Sequence, residues 1–142
     1  MGTLLSDMLI KRIGGHPNVG DIRGRGLFWG IEFVLEKAQS TPFPPEACVA
    51  MRICEMGLSH KYNIAVYPGS GTAEGVKGDH IIIAPPYNIT QADVVFIVET
   101  VSKLIEDFFV SSEQVTRPEE GRQSLDAGSG DRAEMGESNA ED

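Results

Sequence analysis

The sequence predicts an α/β (α+β) domain: a small, mostly antiparallel sheet with helices packed on one face, followed by a disordered tail. Two observations support this fold class. Short apolar runs alternate with stretches of helical spacing, in the order helix, strand, helix, strand, strand, helix. After residue 110, large apolar residues become scarce. We therefore divide the chain into a domain at residues 1–110 and an acidic tail at residues 111–142.

The central element is the stretch from Val19 to Leu35, which we interpret as one extended strand with a glycine-rich start. In an extended chain, alternate side chains share a face, so Trp29, Ile31 and Phe33 fall together on one side. We expect this side to be covered and Trp29 to be a packing residue of the sheet. A helix over residues 4–13 precedes the strand, because its apolar residues recur at helical spacing.

The second half of the domain begins with a proline-rich loop and a helix from Pro45 to about Lys61. A short strand is predicted at residues 64–67, a flexible loop at 69–78 and a strand buried on both faces at 80–84. Asn88 or Thr90 caps the last helix, whose apolar stripe continues to Phe108.

Charge is concentrated in the tail. The net charge is −9, and residues 111–142 hold nine acids against three bases. This balance does not indicate nucleic-acid binding, and no apolar run approaches the roughly 20 residues that span a membrane. We therefore expect neither nucleic acid nor a membrane among the partners.

The two cysteines, Cys48 and Cys54, lie six residues apart on a predicted helix, which is a poor geometry for a disulfide. We interpret them as reduced, buried thiols of an intracellular protein, and no Cys or His pairs indicate a metal site. The start of the chain lacks a secretory signal pattern. We expect a cytoplasmic protein, or a mitochondrial one if a leader precedes Met1.

Two motifs resemble a known family. The sequence DIRGRGLFWGIE at residues 21–32 resembles the segment that opens the C-terminal small domain of class III aminotransferases. The sequence GDHIIIAPPYNIT at residues 78–90 resembles the strand, Pro-Pro turn and helix start near the end of the same family. The resemblance covers roughly residues 1–109 and does not include the tail.

The resemblance implies a fold-type-I enzyme that uses pyridoxal phosphate to move an amino group from an amine or amino acid to a keto acid or aldehyde. It implies an amino-donor substrate and a homodimer for the complete enzyme. The lysine that binds the cofactor lies in the large domain of that family, and no lysine here stands in a similar stretch. We therefore assign no catalytic residue, no cofactor-binding residue and no metal ligand. The chain alone is expected to be inactive, and the alternative is a non-catalytic small-domain remnant or interaction module.

Three residues are candidates for substrate binding: Arg23, Tyr67 and Lys77. The guanidinium of Arg23 suits a substrate carboxylate, although it could instead brace the strand through a neighbour such as Asp21. Many class III aminotransferases carry a carboxylate-binding arginine before the Pro-Pro turn, but residues 66–79 contain none. Tyr67 and Lys77 are the nearest functional substitutes, with an ordinary solvated loop lysine as the alternative for Lys77. The glycine-rich loops match neither dinucleotide nor P-loop spacing.

Overall fold

A four-stranded antiparallel sheet forms the centre of the domain, in the computed structural model that describes residues 1–116. The strand order is β1-β2-β4-β3, which places β1 and β3 at the edges. The predicted fold class is confirmed. The elements are α1 (Gly2–Ile13), β1 (Val19–Arg25), β2 (Phe28–Phe33), α2 (Val49–Gly57), β3 (Tyr67–Ala73), β4 (Lys77–Ile83) and α3 (Gln91–Thr116).

The helices cover one face of the sheet, which we call the inner face. Ile31 and Phe33 of β2 and Ile81 and Ile83 of β4 are buried there. They join one core with apolar residues of all three helices, such as Leu9 and Ile53. The alternation of buried and less buried residues along β2 follows the period of two that strand geometry imposes.

The predicted strand from Val19 to Leu35 is in fact a hairpin. Residues 19–25 form β1 and residues 28–33 form β2, with Arg25 paired to Phe28 across the turn. Gly26 has φ +59, a left-handed conformation that glycine adopts at little cost, and this reverses the chain. The prediction of one strand was wrong because an apolar run does not reveal where a chain folds back on itself.

The predicted strand at residues 64–67 and the predicted loop at 69–78 are also wrong. Residues 67–73 form β3, which pairs with β4, and the turn holds Glu74 at φ 57 and Gly75 at φ 76. Glycine and proline, which occur in this segment, are depleted in strands, so pairing with β4 determines its conformation. Strand β4 starts at Lys77 instead of His80, and its side chains alternate between buried and half-buried from Asp79 onward.

Helix α2 is shorter than predicted. A 3₁₀ turn at Pro45–Ala47 precedes it, and it ends at Gly57 instead of Lys61. The Asp79 carboxylate accepts a hydrogen bond from the Ala50 N–H at 2.9 Å, which satisfies one of the free donors at the start of the helix.

Helix α3 begins with a reciprocal cap. The Asp93 N–H donates to Thr90 Oγ1 at 3.2 Å, while the Thr90 N–H donates to the Asp93 carboxylate at 2.7 Å. Of the two predicted caps, Asn88 and Thr90, the structure has Thr90, and this pattern is a capping box. The helix continues to Thr116, so the tail boundary that we placed at Ser111 falls inside it. The disorder predicted for the remainder of the tail concerns residues 117–142, which lie outside the described residues.

The two cysteines differ in environment. Cys54 is buried, and this burial raises the pKa of its thiol to about 11. Cys48 is exposed, which contradicts the prediction of two buried thiols; neither forms a disulfide. Within residues 1–116, no helix is long and apolar enough to cross a membrane, and no group of acidic, His and Cys residues could hold a metal ion.

Candidate functional site

The face of the sheet opposite the helices, which we call the outer face, carries most of the candidate residues. Strand pairing places Arg23 beside Gly30, Gly30 beside Ile82, and Ile82 beside Tyr67 in one row across all four strands. A second row runs from Asp21 through Glu32 and His80 to Gly69. Because Gly30 has no side chain, the row containing Arg23 forms the floor of a shallow depression.

This depression has a volume of about 480 Å³ and opens to solvent. All four strands contribute polar groups to it, and its apolar surface comes from Phe28, which is 58% exposed, and Ile82. Its lining residues are Arg23, Gly24, Phe28, Gly30, Glu32, Thr72, His80 and Ile82.

Arg23 is held by two carboxylates. Its Nη1 lies 2.7 Å from Asp21 Oδ2 and 2.7 Å from Glu32 Oε2. Hydrogen bonds to Asp21 and Glu32 raise the pKa of Arg23 above its ordinary value. The arrangement matches the alternative role for Arg23, in which it braces the strand through Asp21. A substrate carboxylate at this position would have to compete with both acids.

Tyr67 lies at the start of the edge strand β3 and is 70% exposed. It shares the row with Arg23, but three strand spacings separate the two, which is about 14 Å between backbones. Its hydroxyl makes no hydrogen bond with another described residue. Tyr67 is therefore a free donor and acceptor at the rim of the outer face.

Lys77 lies at the other end of the β3–β4 hairpin. It pairs with Ala73 beside the turn, whereas Tyr67 pairs with Ile82. Lys77 and Ile82 are five positions apart on this extended strand, which corresponds to about 17 Å. Lys77 is exposed and does not line the depression. The structure thus brings none of the three candidate residues into mutual contact, and one carboxylate cannot contact Tyr67 and Lys77 together.

His80 and Asp79 also project to opposite faces. Asp79 is on the inner side, where it caps α2, and His80 is on the outer side against Gly69. A side chain at position 69 would collide with the imidazole, so His80 would have to move to admit one. The Nδ1 atom of His80 is buried and has no hydrogen-bond partner among residues 1–116. These contacts depend on the pairing of β3 with β4, so the sequence alone did not indicate them.

The described residues do not form a site for pyridoxal phosphate. All five lysines, Lys11, Lys37, Lys61, Lys77 and Lys103, are exposed, and none lines the depression. Lys61 and Lys103 pair with Asp107, and Lys37 donates to the Gly14 carbonyl. A Schiff base needs an accessible lysine beside a cradle for the cofactor, and residues 1–116 do not provide that combination.

The sequence is similar to aminotransferases. The chain is 49% identical over 105 residues to an uncharacterized aminotransferase of Schizosaccharomyces pombe, and the match covers 74% of this chain and 22% of the relative. No protein-family model matches the chain.

Solved structures share the fold as well. An aminotransferase of Bacillus anthracis is 32% identical with a TM-score of 0.60, covering 75% of this chain and 23% of that one. The PMP-bound form of an aminotransferase from Vibrio fluvialis is 25% identical with a TM-score of 0.64, covering 77% and 22%.

These observations define a sheet-and-helix segment whose described residues lack a complete catalytic site. By sequence and by fold, this segment belongs with the aminotransferases, so the predicted resemblance is confirmed. The chain spans about a fifth of the length of the relatives that it matches.

Proposed function

We propose that this chain is the small-domain part of a pyridoxal phosphate-dependent, class III, fold-type-I aminotransferase. The observation that carries the proposal is the identity of 49% over 105 residues to an aminotransferase, together with the fold shared with a PMP-bound relative. The reaction would transfer an amino group from an amine or amino acid to a keto acid or aldehyde. The segment would form one side of the cleft, while the cofactor and its lysine would be held by residues outside it.

The contribution of this chain would be substrate contact through the β3–β4 hairpin. Its Gly75 turn is exposed, its strand β4 pairs with β2, and Lys77 has no ion-pair partner among the described residues. An ammonium group makes a single-point contact, unlike the two-pronged grip of arginine. Tyr67 and Arg23 would act at the other end of the sheet, with Arg23 positioned by Asp21 and Glu32.

The main experiment replaces the matched segment of the Schizosaccharomyces pombe relative with this chain. We expect the chimera to fold, to bind pyridoxal phosphate with an absorption band near roughly 420 nm, and to transaminate. The 142-residue chain alone should show neither the band nor turnover. A folded chimera that lacks both would contradict the proposal, and turnover by the isolated chain would contradict the assignment of the lysine to another segment.

The chimera also tests the role of Lys77. In it, Lys77→Ala should raise the KM for an acidic substrate roughly tenfold, about 1.4 kcal/mol, and leave the KM for a neutral amine unchanged. Lys11→Ala removes another exposed lysine from α1 and serves as the matched control. Equal effects on both substrates, or none on either, would mean that Lys77 is an ordinary solvated lysine without a role in substrate binding.

The complete enzyme would be a homodimer in the cytoplasm. The support for a reducing compartment is that both cysteines are free. Sedimentation of the active chimera measures the oligomeric state, and fractionation of the source cells measures the compartment. A monomeric active enzyme would contradict the proposed homodimer.

A further inference from the structure

A second cavity lies on the opposite side of the β3–β4 hairpin from the outer depression. It has a volume of about 290 Å³ and separates the start of α2 from the hairpin. Its walls are largely apolar, formed by Pro45, Met51, Pro68 and Val76. Asp79 is the one charged residue among those that line it. The cavity therefore combines an apolar enclosure with a single negative charge.

The Asp79 carboxylate is unusually placed for an acid. The residue is only 5% exposed, and its Oδ1 accepts one hydrogen bond, from the Ala50 N–H at 2.9 Å. Within residues 1–116 it forms no ion pair and accepts no second hydrogen bond. A carboxylate has room for about four hydrogen bonds, and buried charges are normally paired. The start of α2 balances one oxygen of this carboxylate, and the second oxygen, which is not among the fully buried atoms that lack a partner, stays open to a donor in the cavity.

Ser70 supplies a second polar group. It lies directly opposite Asp79 on β3, and both residues line the cavity. Opposed side chains on neighbouring strands have Cβ atoms about 5 Å apart, so one small ion can contact both. An ammonium group has three N–H donors and suits a carboxylate and a hydroxyl. An anion would be repelled by Asp79, and no described group of acidic, His and Cys residues suits a metal ion.

We propose that this cavity is a binding site for a small primary alkylammonium ion. The ammonium donates to the free oxygen of Asp79 and to the Ser70 hydroxyl, and the alkyl chain contacts Met51, Pro68 and Val76. The volume lies near the lower limit of ligand pockets, which restricts the alkyl chain to a few carbons. The same chemistry is available from a free amine or from a lysine side chain.

The test titrates the 142-residue chain with n-butylammonium, n-butanol and butyrate, monitored by amide chemical shifts. We expect n-butylammonium to bind at least about tenfold more tightly than n-butanol, because a hydrogen bond to a charged group is stronger than a neutral one. Shifts should concentrate on residues 48–51 and 68–79. Butyrate should not bind. Equal affinity for the amine and the alcohol would overturn the proposal without any substitution.

Asp79→Asn then separates charge from structure. The amide oxygen still accepts from the Ala50 N–H, so thermal unfolding checks that the cap and the fold persist. Affinity for n-butylammonium should fall about tenfold or more. Glu74→Gln removes one negative charge from the same hairpin outside the cavity and should leave affinity unchanged. If both variants weaken binding equally, the effect is general electrostatics and the proposal is wrong.

A final arm identifies the source of the ammonium. Nα-acetyl-lysine amide presents the same head group on a peptide backbone. Tighter binding than n-butylammonium indicates a lysine side chain from another protein segment, and weaker binding indicates a free amine. Absence of binding by both compounds overturns the site.

Discussion

The inner and outer faces of the sheet share the same four strands but carry different chemistry. On the inner face, Ile31, Phe33 and Ile81 are fully buried against the helices. On the outer face, Arg23 and Glu32 form an exposed ion pair, and Phe28 and Tyr67 are exposed. The inner face therefore provides most of the stability of this segment, while the outer face is available for contacts beyond it.

The largest expected effect separates two phenylalanines of the same strand. Phe33→Ala should destabilise the protein by about 3–5 kcal/mol, because it leaves a cavity in the core. Phe28→Ala, on the outer face of β2, should change stability by less than about 1 kcal/mol. Urea unfolding of both variants measures the difference. Similar losses would show that the two faces are equally important for folding.

The next prediction concerns Trp29, which lies at the rim of the inner face. It is half-buried against the core, and its indole N–H donates to the Gly26 carbonyl at 2.7 Å. Trp29→Ala should therefore cost about 2 kcal/mol, below the value for a fully buried aromatic residue. Trp29→Phe retains the ring and should recover most of that loss. A stable Trp29→Ala variant of the chimera with altered ligand binding would contradict a packing role.

The next prediction concerns Asp107 on α3, which lies in the layer of helices. Hydrogen bonds from Tyr62 and Lys61 lower the pKa of its carboxyl from 3.8 to about 2. The folding stability that Asp107 contributes is fully present above pH 3.8 and is lost as the pH falls through about 2. Asp107→Asn should cost about 1 kcal/mol at neutral pH, a value limited by solvent screening because the side chain is 29% exposed. Unfolding curves of both proteins should converge in acid, and a constant gap would contradict this origin.

The smallest effect concerns Arg23. Its side chain is 60% exposed, so Arg23→Gln should cost less than about 1 kcal/mol despite two ion pairs. The loss should shrink further at about 1 M salt, where exposed charges are screened. A double-mutant cycle with Glu32→Gln measures the pair directly. A coupling well above this value would mean that the outer face also contributes to stability.

The candidate site was harder to predict than the fold class. Arg23 was correctly noted as a possible partner of Asp21, because the two residues are close in sequence. The distance between Tyr67 and Lys77 was not foreseen, since a segment interpreted as a flexible loop is a paired hairpin. The cap that Asp79 provides joins residues 29 positions apart, and no local pattern encodes such a contact.

The sequence by itself determined the features that depend on local spacing. These are the helix predicted at residues 4–13, the apolar stripe of α3, a cap at Asn88 or Thr90, and the shared face of Ile31 and Phe33. The tertiary structure alone decided where the two hairpins turn, which face of β4 is covered and how Asp79 meets α2. The reason is physical: side-chain periodicity is fixed by the few residues of one element, whereas strand pairing in glycine-rich segments is fixed by partners distant in the chain.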